Sequence, residues 1–418
     1  MPRELAPTRE CVSVASADGR LFNDYWDPVR LESHLKELSP ADAGMIEEYT
    51  HAITRFAKSD LLGEAMVGSR LKAAGMLPGM VPLVKWFKPT MEQYAQKLSD
   101  PFLSSAFPLL EYSLKDAPFA VHLMKHAYGY NKNIAWPVGG AKAFAQSIEK
   151  RYTDLSGEVH YRQRVEKILT ENGAATGVRL EDGSVHKAGR VICDADGRKA
   201  IQGMLDGKYM DDKIKAYCEE PEDETNWAVH VFLGVARDLS GEPSALVQLL
   251  DRPVELAGQK HSSLEMQTYG MDPTIAPEGK GVIKVEMFSS YAYWKALHAN
   301  RELYDEEKEK VSASVIDILD RTRFPGITGQ VEAVDVPTLM TWESYVGGTH
   351  GFLSSPKKKF NPLDMMRGRL DSTLPGLSDF YLVGTWATSA GALFANALSG
   401  RTIVRELCKR DGKTFTAG

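Results

Sequence analysis

Apolar and polar positions change period several times along the chain, and the changes predict its elements. Cys11-Val-Ser-Val-Ala15 alternates, Ala17-Asp-Gly-Arg20 turns, and Leu21-Phe22 resumes, which predicts an opening hairpin. Ser39-Pro40-Ala-Asp42 predicts a helix N-cap with proline in the first turn, followed by Ile46, Tyr49, Ile53 and Phe56 at helical spacing. Residues 60–130 continue helical and apolar, broken by prolines 78, 82, 89, 101, 108 and 118. After Trp136-Pro-Val-Gly-Gly140 a further helix carries Ala141, Phe144, Ala145 and Ile148 on one face. Short strands are predicted at Val159–Tyr161, Val165–Thr170, Ala175–Leu180, Ser184–Lys187 and Arg190–Asp194. Glu171-Asn-Gly173 and Glu181-Asp-Gly183 are the hairpin turns. Residues 225–290 alternate as strands, and 301–322 predict an amphipathic helix buried through Val311, Val315, Ile318 and Leu319. The end reads as strand Phe380–Val383, a turn at Gly384, and a helix from about Ala392 to Lys409. Leu393, Ala397, Gly400, Val404 and Leu407 form its stripe.

Composition narrows the class. The 418 residues carry 50 basic and 56 acidic side chains, a net charge of -6, with 43% hydrophobic residues. That excludes a disordered chain, a collagen-like repeat and a polytopic membrane protein, and it argues against nucleic acid as the main partner. The four cysteines, at 11, 193, 218 and 408, have neither zinc-site nor Cys-x-x-Cys spacing and read as reduced thiols of a cytoplasmic protein. The first twenty residues show no secretory signal pattern. The longest apolar run, Ala73–Val84, is too short to span a bilayer. Flanked by Lys72, Trp86, Phe87 and Lys88, it reads either as a segment dipping into a membrane interface or as part of a buried helical lid. Ser355-Pro-Lys-Lys-Lys359 is a solvated loop or a contact to an anionic membrane surface. His122 and His126 have ligand spacing, but with no third ligand they read as a packed or surface pair, and no metal is expected. The chain has no Gly-x-Ser-x-Gly elbow, so a hydrolase is not expected.

The segment Tyr381–Gly400 is the most informative. A short strand ends in glycine, and small residues lead into a helix, so a large planar ligand could approach the backbone. A helix packed tightly on a sheet would show the same pattern, and the residues alone leave both readings open.

Four stretches taken together resemble the phytoene desaturase, carotenoid isomerase and retinol saturase group of FAD-dependent oxidoreductases, within the flavin amine oxidase superfamily. The first is Pro137-Val-Gly-Gly140 with its helix, the meander and Val191-Ile-Cys-Asp-Ala-Asp196. The second is Asp272-Pro-Thr-Ile-Ala-Pro-Glu-Gly-Lys-Gly281. The third is Asp335-Val-Pro-Thr-Leu-Met-Thr-Trp-Glu-Ser-Tyr345 with Gly347, Gly348 and Gly351. The fourth runs from Gly384 to Gly400. The resemblance implies a mixed α/β fold: a doubly wound FAD-binding domain, an antiparallel-sheet substrate domain and a helical lid. Its implied limits are 1–134 for substrate-domain strands and lid, 135–205 and 372–418 for the FAD-binding domain, and 206–371 for the substrate-binding domain.

Carried over residue by residue, Val165 would meet the adenine end of FAD through its backbone. Gly384 and Thr385 would sit at the ribityl or pyrophosphate, where many relatives carry an acidic residue in place of Thr385. Gly391, Ala392 and Leu393 would line the ring's pyrimidine side, and Gly139 and Gly140 would lie near the ring from the substrate side. Glu343 or Tyr345 would give general acid or base help. The family's opening Gly-x-Gly-x-x-Gly unit has no counterpart in these 418 residues. The expectation is therefore a doubly wound domain that is N-terminally incomplete, with the edges of Val165–Thr170 and Val191–Asp194 uncovered, and with a partner chain or a homo-oligomer as options.

The implied activity is oxidation, reduction or isomerisation at C=C bonds of a hydrophobic isoprenoid or carotenoid-like substrate, held in an apolar tunnel from residues 60–130 and 225–300. Two alternatives stand beside it. One is a flavin-free apolar-ligand-binding or interaction protein; the other is an amine-oxidase-like flavoenzyme, which fits the Asp272–Gly281 stretch less well. The expected location is the cytoplasm, with peripheral membrane attachment as an option.

Overall fold

The alternating segments fold as strands wherever a partner strand covers them. In chain order these are β1 (Leu5–Ala6), β2 (Glu10–Ala15), β3 (Leu21–Tyr25), β4 (Trp136–Pro137), β5 (Val165–Glu171), β6 (Ala174–Leu180), β7 (Val185–Lys187), β8 (Val191–Cys193), β9 (Trp227–Val235), β10 (Ala245–Leu256), β11 (Gln259–Thr268), β12 (Gly281–Ser289), β13 (Val331–Asp335) and β14 (Phe380–Leu382). The computed structural model describes residues 4–8, 10–58, 81–114, 117–219, 227–348, 371–387 and 393–416. They fall into two compact units, Met1–Glu158 with Thr225–Thr338, and Val159–Glu224 with Leu339–Gly418.

The first unit is built on a seven-stranded sheet of order β13-β9-β12-β11-β10-β2-β3. Its neighbours are antiparallel except for the β10–β2 pair. Strand periodicity separates its two faces. Val229, Val231, Leu233, Ile283, Val285, Leu264 and Met266 are buried on one. The other carries Lys284, Glu286 and Phe288 in half-buried positions.

The helical lid belongs to this unit. Asp27 caps the helix Pro28–Leu38 by accepting from the backbone N–H groups of Val29 and Arg30, with Pro28 in the first turn. Ser39-Pro40 behaves differently from the predicted cap. Pro40–Asp42 is a single 3-10 turn ahead of the helix Ala43–Lys58, and the Ser39 hydroxyl donates to the Asp42 carboxylate instead of capping the backbone. Asp42 in turn accepts from the backbone N–H groups of Ser99 and Asp100. Leu31, Leu35, Tyr49, Ile53, Phe107, Phe119 and Leu123 share one core.

That core decides the reading of Trp86. Its ring centroid lies 5.3 Å from Phe119 and 6.0 Å from Tyr94, and the residue is 5% exposed. Trp86 is therefore a lid core residue rather than a membrane-interface anchor, because aromatic neighbours cover the indole. Most of the apolar run itself, residues 73–80, lies outside the described residues, as does the Ser355–Lys359 cluster. Among the described residues no helix is long and apolar enough to cross a membrane. His122 and His126 are fully buried on the helix Phe119–Tyr130. The Tyr49 hydroxyl lies 2.7 Å from His122 Nε2 and donates to Asp24 at 3.2 Å. His122 Nδ1 meets Glu111 at 2.8 Å, and His126 Nε2 lies 3.2 Å from Asp24. The pair is packed in a polar network, and no metal-binding cluster occurs among the described residues.

The second unit contains the predicted meander, β5-β6-β7, and a parallel pair, β8-β14. Asn172 and Gly173 both take positive φ, 51° and 75°, the geometry a two-residue hairpin turn requires. Val159–Tyr161 is not a strand: Tyr161-Arg162 turns, with Arg162 at φ 57°, and both Val159 and Tyr161 are exposed. Ile168, Ala200, Ile201, Phe380, Leu382 and Trp386 form the core.

The compact units divide at 158/159, 224/225 and 338/339, where the resemblance implied domain limits at 134/135, 205/206 and 371/372. Side-chain contacts explain two of the shifts. Trp136 and Gly139 are tied to Asp272 in the first unit, and Leu205, Ile214 and Cys218 pack in the second unit's core. Val165–Thr170 belongs to the antiparallel meander, so of the two strands assigned to the parallel sheet only Val191–Cys193 is there. Finally, the C-terminal helix Leu393–Arg410 packs through Ala395 and Ile403, while Leu393, Ala397 and Val404 are exposed. A hydrogen bond from the Gly384 N–H to the Ser399 hydroxyl, 2.9 Å, fixes that rotation.

Candidate functional site

Two of the motifs are halves of one structure in the first unit. The Asp272 carboxylate accepts four hydrogen bonds. Trp136 Nε1 and the Gly139 N–H reach one oxygen, each at 2.9 Å; the Thr274 N–H and hydroxyl reach the other at 3.0 and 2.6 Å. Burial by itself would raise the Asp272 pKa, but these donors outweigh it and hold the carboxyl below the usual range. The turn they fix needs glycine. Gly139 and Gly140 sit at φ 88° and 67°, and a Cβ on Gly139 would lie 2.6 Å from that of Ala143. The helix Gly140–Asp154 starts from this turn.

Beside that clamp the half-buried sheet face carries an unusual set of charges. His230 on β9 stands opposite Glu286 on β12, and Glu286 stands opposite Glu265 on β11. Lys284 Nζ donates to Glu286 at 3.0 Å, and His230 Nε2 lies 3.5 Å from the same carboxylate. Burial and the Lys284 charge lower the His230 pKa to about 4, so its imidazole is neutral at neutral pH. Burial, reinforced by the Glu286 charge, pushes the Glu265 carboxyl up to about 8, so it is largely protonated there. The Tyr269 hydroxyl donates to Gln267 at 3.2 Å, and its ring packs 5.4 Å from Trp136. A carboxylic acid held neutral next to an ionised one is an arrangement that can donate and accept protons on one wall.

In the second unit the two parallel strands, β8 and β14, end side by side. Asp194 follows the first and Gly384 the second, with the Val383 N–H donating to the Cys193 carbonyl at 3.0 Å. Gly384 has φ 76°, and a Cβ there would fall 1.7 Å from an Asp194 carboxylate oxygen. Burial raises the pKa of Asp194. Asn396 donates to the Thr385 hydroxyl at 3.3 Å, and a Cβ on Gly197 would collide with the Trp386 ring. The carboxyl ends of parallel strands are where open α/β sheets take their ligands.

The residues singled out from sequence are thus spread over both units. Gly139 and Gly140 are in the clamped turn, and Gly384 and Thr385 are at the strand ends. Val165 opens β5, paired with Leu180. Leu393 begins the last helix and is 66% exposed. Gly391 and Ala392 lie outside the described residues. Glu343 and Tyr345 share the helix Leu339–Val346, but two residues of helix rotate them about 200° apart, so they do not act from one face. His230, Glu265, Lys284 and Glu286 were not singled out. The signal was there in Lys284-x-Glu286-x-Phe288, a polar-bearing face in an apolar strand, but only the register joins it to β9 and β11.

Residues 91–201 match the family described as flavin containing amine oxidoreductase. The chain is similar to the chloroplastic prolycopene isomerase of Daucus carota, 27% identical over 284 residues that cover 64% of this chain and 43% of that protein. It is also similar to the neurosporene-forming phytoene desaturase of Rhodobacter capsulatus, 22% identical over 356 residues covering 78% and 65%. It therefore spans less than half the length of the isomerase it matches. Among solved structures, putrescine oxidase bound to putrescine shares the fold, with TM-score 0.56 at 11% identity over 97% of this chain and 83% of that one.

Proposed function

We propose that this chain, a carotenoid desaturase- and isomerase-like protein of the flavin amine oxidase superfamily, is an FAD-dependent oxidoreductase acting on carbon–carbon bonds of a hydrophobic isoprenoid. The observation that carries the reading is the close-packed end of the parallel strands. Gly384 leaves no room for a side chain, and the Thr385 hydroxyl and Asp194 carboxyl are hydrogen-bonding groups suited to a polyhydroxylated ribityl chain. These residues fit FAD, and Gly384, Thr385 and Asp194 would hold it. The flavin supplies hydride transfer when bound. The protein's part is to orient and exclude water. Asp272 fixes the Gly139–Gly140 turn, and Phe232 and Phe288 give the half-buried sheet face its apolar surface. Flavin chemistry of this kind covers desaturation, saturation and isomerisation alike.

The test is flavin retention. After incubation with FAD and removal of the excess, the parent should keep a flavin absorbance spectrum that bleaches when an acyclic carotene is added without oxygen or when a reductant is supplied. Gly384→Val should lose the flavin and keep its far-UV circular dichroism, since its Cβ would overlap Asp194. A parent that stays colourless, or a Gly384→Val variant with equal flavin content, refutes the assignment.

A further inference from the structure

The polar network under the lid carries more negative charge than its lysine can balance. Its members come from every element packed around His122. Asp24 lies on β3, Tyr49 on the helix Ala43–Lys58, and Glu111 on the 3-10 segment Phe107–Leu114. Lys125 and His126 share the helix Phe119–Tyr130 with His122 itself, and Cys11 on β2 is close enough to feel Lys125, Asp24 and Glu111. Asp24, His122 and His126 are fully buried, and Glu111 is buried too. Burial pushes the Cys11 thiol and the Tyr49 hydroxyl up, so both are neutral. Burial also opposes ionisation of Asp24 and Glu111, but their cationic neighbours hold both carboxyls below the usual range. Two carboxylates then face one ammonium, Lys125, whose Nζ lies 3.0 Å from Glu111. A buried charge left without a counterpart is costly, so the site calls for one more proton.

Hydrogen-bond geometry assigns that proton. A carboxylate only accepts, so His122 Nδ1, 2.8 Å from Glu111, carries a hydrogen. The Tyr49 hydroxyl has a single hydrogen and two oxygen or nitrogen neighbours, Asp24 at 3.2 Å and His122 Nε2 at 2.7 Å. With a neutral His122, Nε2 takes that hydrogen and Asp24 receives none from Tyr49. With an imidazolium, Nε2 donates to the Tyr49 oxygen and Tyr49 donates to Asp24, so each contact becomes a hydrogen bond. His126 is the poorer seat for the proton, because its Nδ1 has no hydrogen-bond partner.

We propose that His122 is held as an imidazolium joining Glu111 to Asp24 through Tyr49, and that this proton latches the lid onto β3. The lid takes up one proton as it seats on the sheet. An unfolded imidazole titrates at about 6.5. The latch is therefore fully present below about that value, and it is lost as pH rises through the point at which the seated His122 gives up its proton.

Two measurements on the full chain test the latch. Hydrogen exchange of peptides from the helices Ala43–Lys58 and Phe119–Tyr130, corrected for the intrinsic pH dependence of exchange, reads how firmly the lid is seated. Protection should fall by about tenfold per pH unit above about 6.5, the slope of one linked proton, and level off once His122 is neutral. NMR spectra of protein labelled at its histidine ring nitrogens read the imidazole itself. One imidazolium should persist at about pH 8, where a free histidine is neutral. Its signal should be missing from His122→Gln and present in His126→Gln, and His122→Gln should also lose the exchange slope. Circular dichroism identifies a variant that has failed to fold, and the parent's own slope and spectrum then decide. Protection independent of pH in the parent, no imidazolium at that pH, or a signal lost in His126→Gln instead overturns the proposal. Neither readout involves flavin, so the oxidoreductase reading stands or falls separately.

Discussion

Replacing Asp272 by asparagine tests whether the clamp on the Gly139–Gly140 turn stabilises the first unit. The carboxylate serves four donors, two on each oxygen. An asparagine keeps one oxygen and turns an amide toward the other pair. The best orientation leaves the oxygen on Trp136 Nε1 and the Gly139 N–H, while the Thr274 hydroxyl rotates to accept from the amide. The Thr274 N–H is then unsatisfied, at a cost of about 1–3 kcal/mol. The remaining bonds lose their charge assistance, roughly halving them. Together these predict a loss of about 2–4 kcal/mol, and Asp272→Ala should lose more because all four donors are orphaned. Urea unfolding followed by tryptophan fluorescence reads the difference. The pH dependence adds a second check. The folded pKa of Asp272 lies below the ordinary value of about 3.9. Its contribution is therefore fully present above that value and is lost as pH falls through the lower, folded one. Asp272→Asn should remove this acid-side component. A variant within about 0.5 kcal/mol of the parent at neutral pH, a shift typical of an uninvolved surface position, would refute the clamp.

The other predictions concern buried polar groups. Tyr49→Phe should destabilise the first unit by about 1–3 kcal/mol, measured by urea unfolding, because the hydroxyl joins His122 to Asp24 in a buried site. Glu265 has a raised folded pKa, so its stabilising contribution is fully present below its unfolded value of about 4.3 and is lost as pH rises through about 8. The stability advantage of Glu265→Gln over the parent should thus grow between those limits and level off above them; a gap independent of pH would show that Glu265 titrates normally.

Sequence by itself determined those features that depend on neighbours along the chain. The hairpin at Asn172-Gly173 follows from residues that tolerate positive φ, and the helix Arg301–Arg321 follows from an apolar stripe with helical period. The paired glycines at 139 and 140, and the glycine ending the last strand, were legible because few other residues fit such turns. Tertiary structure decided what depends on distant partners. Nothing local says that Asp272 holds Gly139, 133 residues away, or that Glu286 stands between His230 and Glu265. Those contacts are set by strand register, which is a property of pairs of segments. The same holds for the last helix. Its sequence offered Leu393, Ala397 and Val404 as a plausible stripe, yet one hydrogen bond from Gly384 to Ser399 turned Ala395 and Ile403 inward instead. Trp86 shows the rule from the apolar side: a tryptophan between lysines suits a membrane edge or a core equally well. Only the packing of Phe119 and Tyr94 against its ring chose the core.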